Sequence, residues 1–174
     1  QILLKSLENI LGVWLQSKKI ILKEINLEHK NVLDVGCGNG WLLLWLSKFI
    51  SKGIGIDPSQ EQIISAQKQI KNSNVKFKVI DIENFKNTNE KFDLVFYFNS
   101  FHHIPKKNMF GALLKCSSCM NSNSIMCIVE PLAEGNFFEF MKDIDDETSI
   151  RSAAYKCIIN SNQANLKIKK EVFY

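Results

Sequence analysis

The stretch from residue 31 to residue 50 leaves the fewest options for the fold. Asn31-Val-Leu-Asp-Val35 has the apolar, β-branched make-up of a short buried strand, and it runs without a break into Gly36-Cys-Gly-Asn-Gly40. Three glycines at alternate positions permit a tight turn and a close approach of backbone to ligand. Gly40–Ile50 then reads as a nearly all-apolar helix, as expected of one packed between a sheet and other elements.

The same alternation continues along the chain. Residues 1–25 carry Ile2, Leu3, Leu7, Ile10, Leu11, Trp14 and Leu15 close to the helical period. Gly53–Asp57 reads as a second strand, and Ser59 with Gln62 forms a capping-box signal for the helix that follows. Val75–Ile80 and Phe92–Phe98 read as strands three and four, the latter apolar enough for burial on both faces. Pro105 suits the first turn of a helix running to about Cys119. Asn121–Ser124 is expected as a turn, Ile125–Val129 as strand five, Glu147–Ile159 as a helix and Leu166–Phe173 as strand six. Strands alternating with helices predict an α/β fold: a Rossmann-like, doubly wound, mostly parallel sheet with helices on both faces. Residues 1–28 form a helical segment that either lids a pocket or packs on the sheet, and residues 29–174 form the ligand-binding domain.

At 174 residues the chain fits one domain, and its 45% hydrophobic and 23% charged residues are ordinary for a globular protein. The longest apolar run, Trp41–Leu46, is too short to cross a bilayer, and there is no secretion-signal pattern, so a cytoplasmic location is expected. The net charge of +4 comes almost wholly from lysine, with Arg151 the only arginine, which disfavours a nucleic-acid partner. The pairs Lys106-Lys107 and Lys169-Lys170 are read as solvated faces. Five cysteines suggest no disulfide framework, and Cys116-Ser-Ser-Cys119, lacking a second ligand pair, is read as helix packing and not zinc binding.

Ligands of such sheets bind beyond the carboxyl ends of the strands. Those ends are Asp34–Gly40, Asp57–Ser59, Asp81–Ile82, Asn99–His103 and Glu130–Pro131, each with a polar or acidic residue. A dinucleotide fingerprint also begins Gly-x-Gly, but its third glycine would fall at position 41, which is Trp41. Asp34, two residues before the first glycine, would repel a pyrophosphate and attract a cationic ligand. The Gly-Lys-Ser/Thr of an ATPase phosphate loop is absent. Asp57 is placed either to accept from a ribose diol or to cap the helix after Pro58. Asp81 is placed either to accept from an adenine amino group, with Ile82 beside the ring, or to close a solvated turn.

These residues resemble the motifs of class I S-adenosylmethionine (SAM)-dependent methyltransferases. Val32-Leu-Asp-Val-Gly-Cys-Gly-Asn-Gly40 is similar to the glycine-rich first motif, Ile54-Gly-Ile-Asp57 to the ribose-binding acid and Val79-Ile-Asp-Ile82 to the adenine motif. Phe92-Asp-Leu-Val95 through Phe101-His-His-Ile104 resembles the fourth strand and its loop, and Ile125–Pro131 the fifth strand. The resemblance covers roughly residues 30–131. It implies SAM as cofactor, bound by Asp34, Gly36, Cys37, Gly38, Asp57, Pro58, Asp81, Ile82 and Asn99, and a seven-stranded sheet with an antiparallel last strand. Asparagines and serines replace the usual Pro-Gly-Gly before strand five. The chain reaches only a sixth strand, so the carboxyl end of the domain is expected to be incomplete and one sheet edge unfilled.

Methyl transfer from a sulfonium relies mainly on alignment and desolvation, so the acceptor must be sought in side features. Asn99-Ser-Phe-His-His103 is not the Asn-Pro-Pro-Tyr/Phe loop of amino-group methylases, no Pro-Cys pair supports attack on a pyrimidine, and no acidic triad marks a metal-dependent catechol-type enzyme. A small-molecule acceptor and no metal centre are therefore expected. Either His102 or His103 is a candidate base; alternatively one ties the loop down while the other lines the pocket. Phe137, Phe138 and Phe140 line an apolar substrate site or belong to the core. The competing functions are a noncatalytic SAM-fold subunit that binds a partner, and an RNA or protein methyltransferase.

Overall fold

A computed structural model describes residues 2–71, 74–86, 91–134, 138–139 and 142–173, with side chains left undescribed over 2–11 and at 13. Chain order is α1 (Ile2–Glu24), β1 (Asn31–Val35), α2 (Trp41–Leu46), β2 (Lys52–Asp57), α3 (Gln60–Gln69), β3 (Val75–Val79), β4 (Phe92–Phe98), α4 (Met109–Ser118), β5 (Met120–Val129) and α5 (Thr148–Ile159). Short 3-10 turns occupy Phe101–His103, Lys106–Asn108 and Ser161–Ala164. The described strands form one five-stranded sheet in the order β3-β2-β1-β4-β5, and every neighbouring pair is parallel.

Alternation along the central strands sends side chains to two cores. Leu33, Val35, Val95 and Tyr97 face α4 and α5, meeting Met109, Ala112, Leu113 and Ala154. Val32, Leu94 and Phe96 face the other way, against Ile21 and Ile25 at the end of the first helix and Leu42, Leu43 and Leu46 of α2. The sheet therefore carries helices on both faces, and α1 packs on it. Cys116 and Cys119 are buried in the first core, where the Tyr97 hydroxyl lies 3.2 Å from Cys116 Sγ.

Four elements depart from the sequence reading. The apolar helix expected to reach Ile50 ends at Leu46, where the Ser47 hydroxyl turns back to the Leu44 carbonyl at 2.8 Å. The helix expected from Pro105 begins at Met109, because Lys106–Asn108 forms a 3-10 turn first. Asn121–Ser124 is a bulged part of β5, not a turn before it: Met120 pairs with Phe92 and Ile125 with Leu94. Polar side chains replace the lost ladder bonds there, Asn121 Nδ2 donating to Asp93 and Ser124 Oγ to the Phe92 carbonyl. Leu166–Phe173 forms no strand, since no described neighbour offers it backbone partners. Leu166 packs half-buried against the first core and residues 167–173 run exposed over the surface, with Lys170 Nζ 2.6 Å from Glu24 Oε1. The described sheet accordingly has five strands, not the seven that the family resemblance implies.

Two glycines set opposite expectations. A Cβ on Gly55, in the middle of β2, would lie 2.6 Å from Phe77 and 2.9 Å from Cys37 Sγ, so Gly55→Ala is expected to destabilise by about 1–3 kcal/mol. Gly111, in α4, has open space around it, and Gly111→Ala is expected to stabilise by roughly 0.5–1 kcal/mol. Urea unfolding of both variants checks the pair of signs.

Candidate cofactor and acceptor site

The glycine turn owes its shape to contacts that only glycine allows. Gly36, Gly38 and Gly40 all have positive φ, at 70°, 51° and 80°. At Gly36 a Cβ would come 2.6 Å from the Ser100 Cβ, so the turn and the loop after β4 touch backbone to side chain. Ser100 Oγ completes that junction by donating to the Val35 carbonyl at 2.7 Å. Asp57 holds the turn from the other side: its carboxylate accepts from Gly38 N at 2.9 Å and from Ser59 N at 2.8 Å. The helix cap is Ser59, whose side chain accepts from Gln62 N, so Asp57 is not the cap of α3.

These contacts leave a cavity of about 640 Å³ over the carboxyl ends of the strands. Asp34, Gly36, Cys37, Gly38, Asp57, Pro58, Asp81, Ile82 and Asn99, picked out from the sequence, all line it. Asp81 also closes its own turn, accepting from the backbone and side-chain nitrogens of Asn84, so the two roles weighed for it are compatible. Asn99 adopts a φ of 50° and donates its backbone N–H to Val129, fixing the loop at the end of β4.

Asp34 is the electrostatic centre of the cavity. It is buried, and its Oδ2 is the one fully buried side-chain polar atom without a partner among the described residues. Burial, with a smaller push from Asp57, raises its pKa to about 8. A cationic ligand group would satisfy that carboxylate; a pyrophosphate would not. The donor set and the glycine cradle thus fit a ligand with an adenosine-like part and a positive charge. Burial likewise pushes the Cys37 thiol well above its ordinary range, so Cys37 lines the cavity as a neutral group.

The two histidines part company. His103 is exposed and lines the cavity, whereas His102 is 5% exposed and does not. His102 Nδ1 bonds to the Glu130 carboxylate at the end of β5. The same carboxylate accepts from the backbone amides of Ser100 and Phe101 at 2.9 and 2.7 Å, and from His102 N at 3.3 Å. Glu130 therefore organises the histidine turn. The strand-end rule marked its position, but nothing in the one-dimensional order revealed how many donors converge on it. Ser100, which lines the cavity, was missed as a site residue for the same reason.

On the opposite wall, Trp41 and Phe98 line the cavity, and Trp14 of α1 packs against both, with ring centroids 3.8 and 5.5 Å away. Phe138 is buried beneath the Arg151 guanidinium, 5.2 Å from its ring centre, and belongs to the core. Phe137 and Phe140 lie outside the described residues.

Comparison with known proteins gives this geometry a family. Residues 32–123 match the methyltransferase domain model. The chain belongs to the methyltransferase domain family. Protein 235L of Invertebrate iridescent virus 6, a methyltransferase by name, is 29% identical over 92% of this chain and 64% of its own length. The tRNA U34 carboxymethyltransferase of Nautilia profundicola is 35% identical over 49% of this chain and 30% of its own. The ubiquinone biosynthesis O-methyltransferase of Bradyrhizobium diazoefficiens is 30% identical over 56% and 38%. The chain thus spans about one to two thirds of the length of these relatives. Among solved structures, a Bacillus halodurans C-125 protein, likewise a methyltransferase by name, superposes with a TM-score of 0.71 at 19% identity, covering 88% of this chain and 69% of that one. The fold of this methyltransferase domain is the Rossmann-like class I architecture.

The buried acid makes a pH prediction. With a folded pKa of about 8 and an unfolded value near 3.8, the folded state holds the Asp34 proton across that window while the unfolded state has lost it. The stability so gained is complete below about pH 4 and is lost as pH rises toward 8, at up to roughly 1.4 kcal/mol per unit. Ligand-free Asp34→Asn should therefore gain on the parent protein between pH 5 and pH 8 in paired melting curves, and parallel curves would refute the assignment.

Proposed function

We propose that this domain binds SAM in the cavity over the strand ends and transfers its methyl group to a small-molecule acceptor. The observation that carries the reading is the unpartnered Asp34 carboxylate set beside the glycine turn, with Asp57 and Asp81 on the same wall. SAM would supply a methyl group already activated on a sulfonium. Asp34 gives up its proton as the cation enters and offers the resulting carboxylate to the positive charge, and Gly36 and Gly38 let the ligand reach the backbone. Asp57 has both carboxylate oxygens on backbone amides, yet each retains a lone pair for a ribose hydroxyl. Asp81 and Ile82 lie where the adenine would rest, and Asn99 flanks the acceptor end.

The chain's own contribution to transfer is alignment and exclusion of water. His103 is the histidine placed to orient an acceptor or take its proton, while His102 is held by Glu130. α1, docked through Trp14 onto Trp41 and Phe98, serves as one wall or lid. A small acceptor accords with a cavity in the usual range for small-molecule sites, with the single arginine, and with an O-methyltransferase of ubiquinone biosynthesis among the relatives. We place the protein in the cytoplasm; no described helix is long and apolar enough to cross a membrane.

Calorimetry should show binding of SAM or its demethylated product, with NAD and ATP far weaker. Asp57→Ala is expected to weaken SAM binding about 30- to 1,000-fold, from loss of hydrogen bonds worth roughly 1.5–3 kcal/mol each. It should also lower the melting temperature, because the Gly38 and Ser59 amides lose their acceptor. Tight NAD binding without SAM binding would overturn the cofactor reading. Salt-dependent affinity for RNA would overturn the small-molecule acceptor alone.

A further inference from the structure

We propose that His102, His103 and Glu147 form a binding site for a divalent first-row cation at the rim of the cavity. One ligand atom from each lies within 4.8 Å of the others, and His102 Nε2 is 3.9 Å from Glu147 Oε1. The three arrive from two places in the fold: the histidines from the turn after β4, and Glu147 from the residue that opens α5. Two histidines and one carboxylate, with no thiolate among them, are a donor set for Zn²⁺ or Fe²⁺ that leaves coordination positions open.

The surroundings prepare each ligand. His102 Nδ1 is committed to the Glu130 carboxylate, which leaves Nε2 with its lone pair directed at the site. A carboxylate behind an imidazole is the arrangement that fixes the ring and raises the basicity of a metal-binding histidine. Glu147 stands at the N-cap of α5, yet its side chain accepts no helix amide. Arg151 holds its Oε2, Nε at 3.0 Å and Nη2 at 2.5 Å, and Oε1 remains for an ion. Tetrahedral bonds of about 2.0–2.2 Å set two ligating atoms about 3.4 Å apart, so the His102–Glu147 pair, at 3.9 Å, has to close by about half an ångström around an ion. His103, the exposed member, lies within 4.8 Å of the other two and completes the set by turning inward.

Because His103 also lines the cavity, an ion here would present an open position to an acceptor oxygen. That role rests on the methyl-transfer reading, whereas cation binding does not.

The test is equilibrium dialysis of the metal-free protein against Zn²⁺, with Co²⁺ absorption to report the donor type. One equivalent should bind, without thiolate charge-transfer bands. His103→Ala and Glu147→Gln should each weaken binding at least about tenfold, and Glu130→Gln about 10- to 100-fold. Melting curves establish that each variant folds; should Glu147→Gln fail, the exposed His103→Ala still decides. SAM affinity should be unchanged in Glu147→Gln, since Glu147 is not on the cavity wall. Absence of stoichiometric zinc, thiolate bands, or variants that bind as the parent does would overturn the site. A protein that binds SAM but no zinc would lose this inference and keep the proposed function.

Discussion

The contact between Gly36 and Ser100 holds the two halves of the cavity together. β1 and β4 are neighbours in the middle of the sheet, and the loops that follow their carboxyl ends both line the cavity. Just beyond those ends, the absence of a Cβ at Gly36 lets Ser100 approach until its hydroxyl meets the Val35 carbonyl. The glycine turn then rises on one side and the histidine turn on the other. A side chain at position 36 would force these walls apart before any ligand contact was made.

From that junction the polar groups are ordered by burial. Asp57 and Glu130 are two carboxylates with much the same task, each collecting backbone amides from a neighbouring loop. Asp34 is the exception. It lies deeper, with one oxygen unserved, and burial keeps its proton near neutral pH. Such an arrangement costs stability in the free protein and is the mark of a site arranged for an incoming group.

The order of elements and the strand ends were legible because they depend on local periodicity and on where parallel strands terminate. That rule alone placed Asp34, Asp57, Asp81 and Asn99 on one cavity before any contact was known. It missed what depends on side chains meeting across the fold. Glu130 looks like any acid after a strand, and Glu147 like any acid before a helix. Their meeting with His102 requires the packing of α5 beside the turn after β4. The mistaken strand at Leu166–Phe173 shows the converse: alternating apolar residues are necessary for a strand, but a neighbour must supply its hydrogen bonds. Asn121–Ser124 misled because turn-forming side chains serve equally to patch a bulge.

All three tryptophans of the chain lie in one cluster. Trp14 belongs to α1, Trp41 to the cavity wall, and Trp45 lies one helical turn beyond it. Rings this close share one environment. The tryptophan fluorescence of the protein is consequently a local signal. It responds when α1 lifts from the sheet or when a ligand reaches Trp41, and it is nearly blind to events around β5 and the carboxyl-terminal segment.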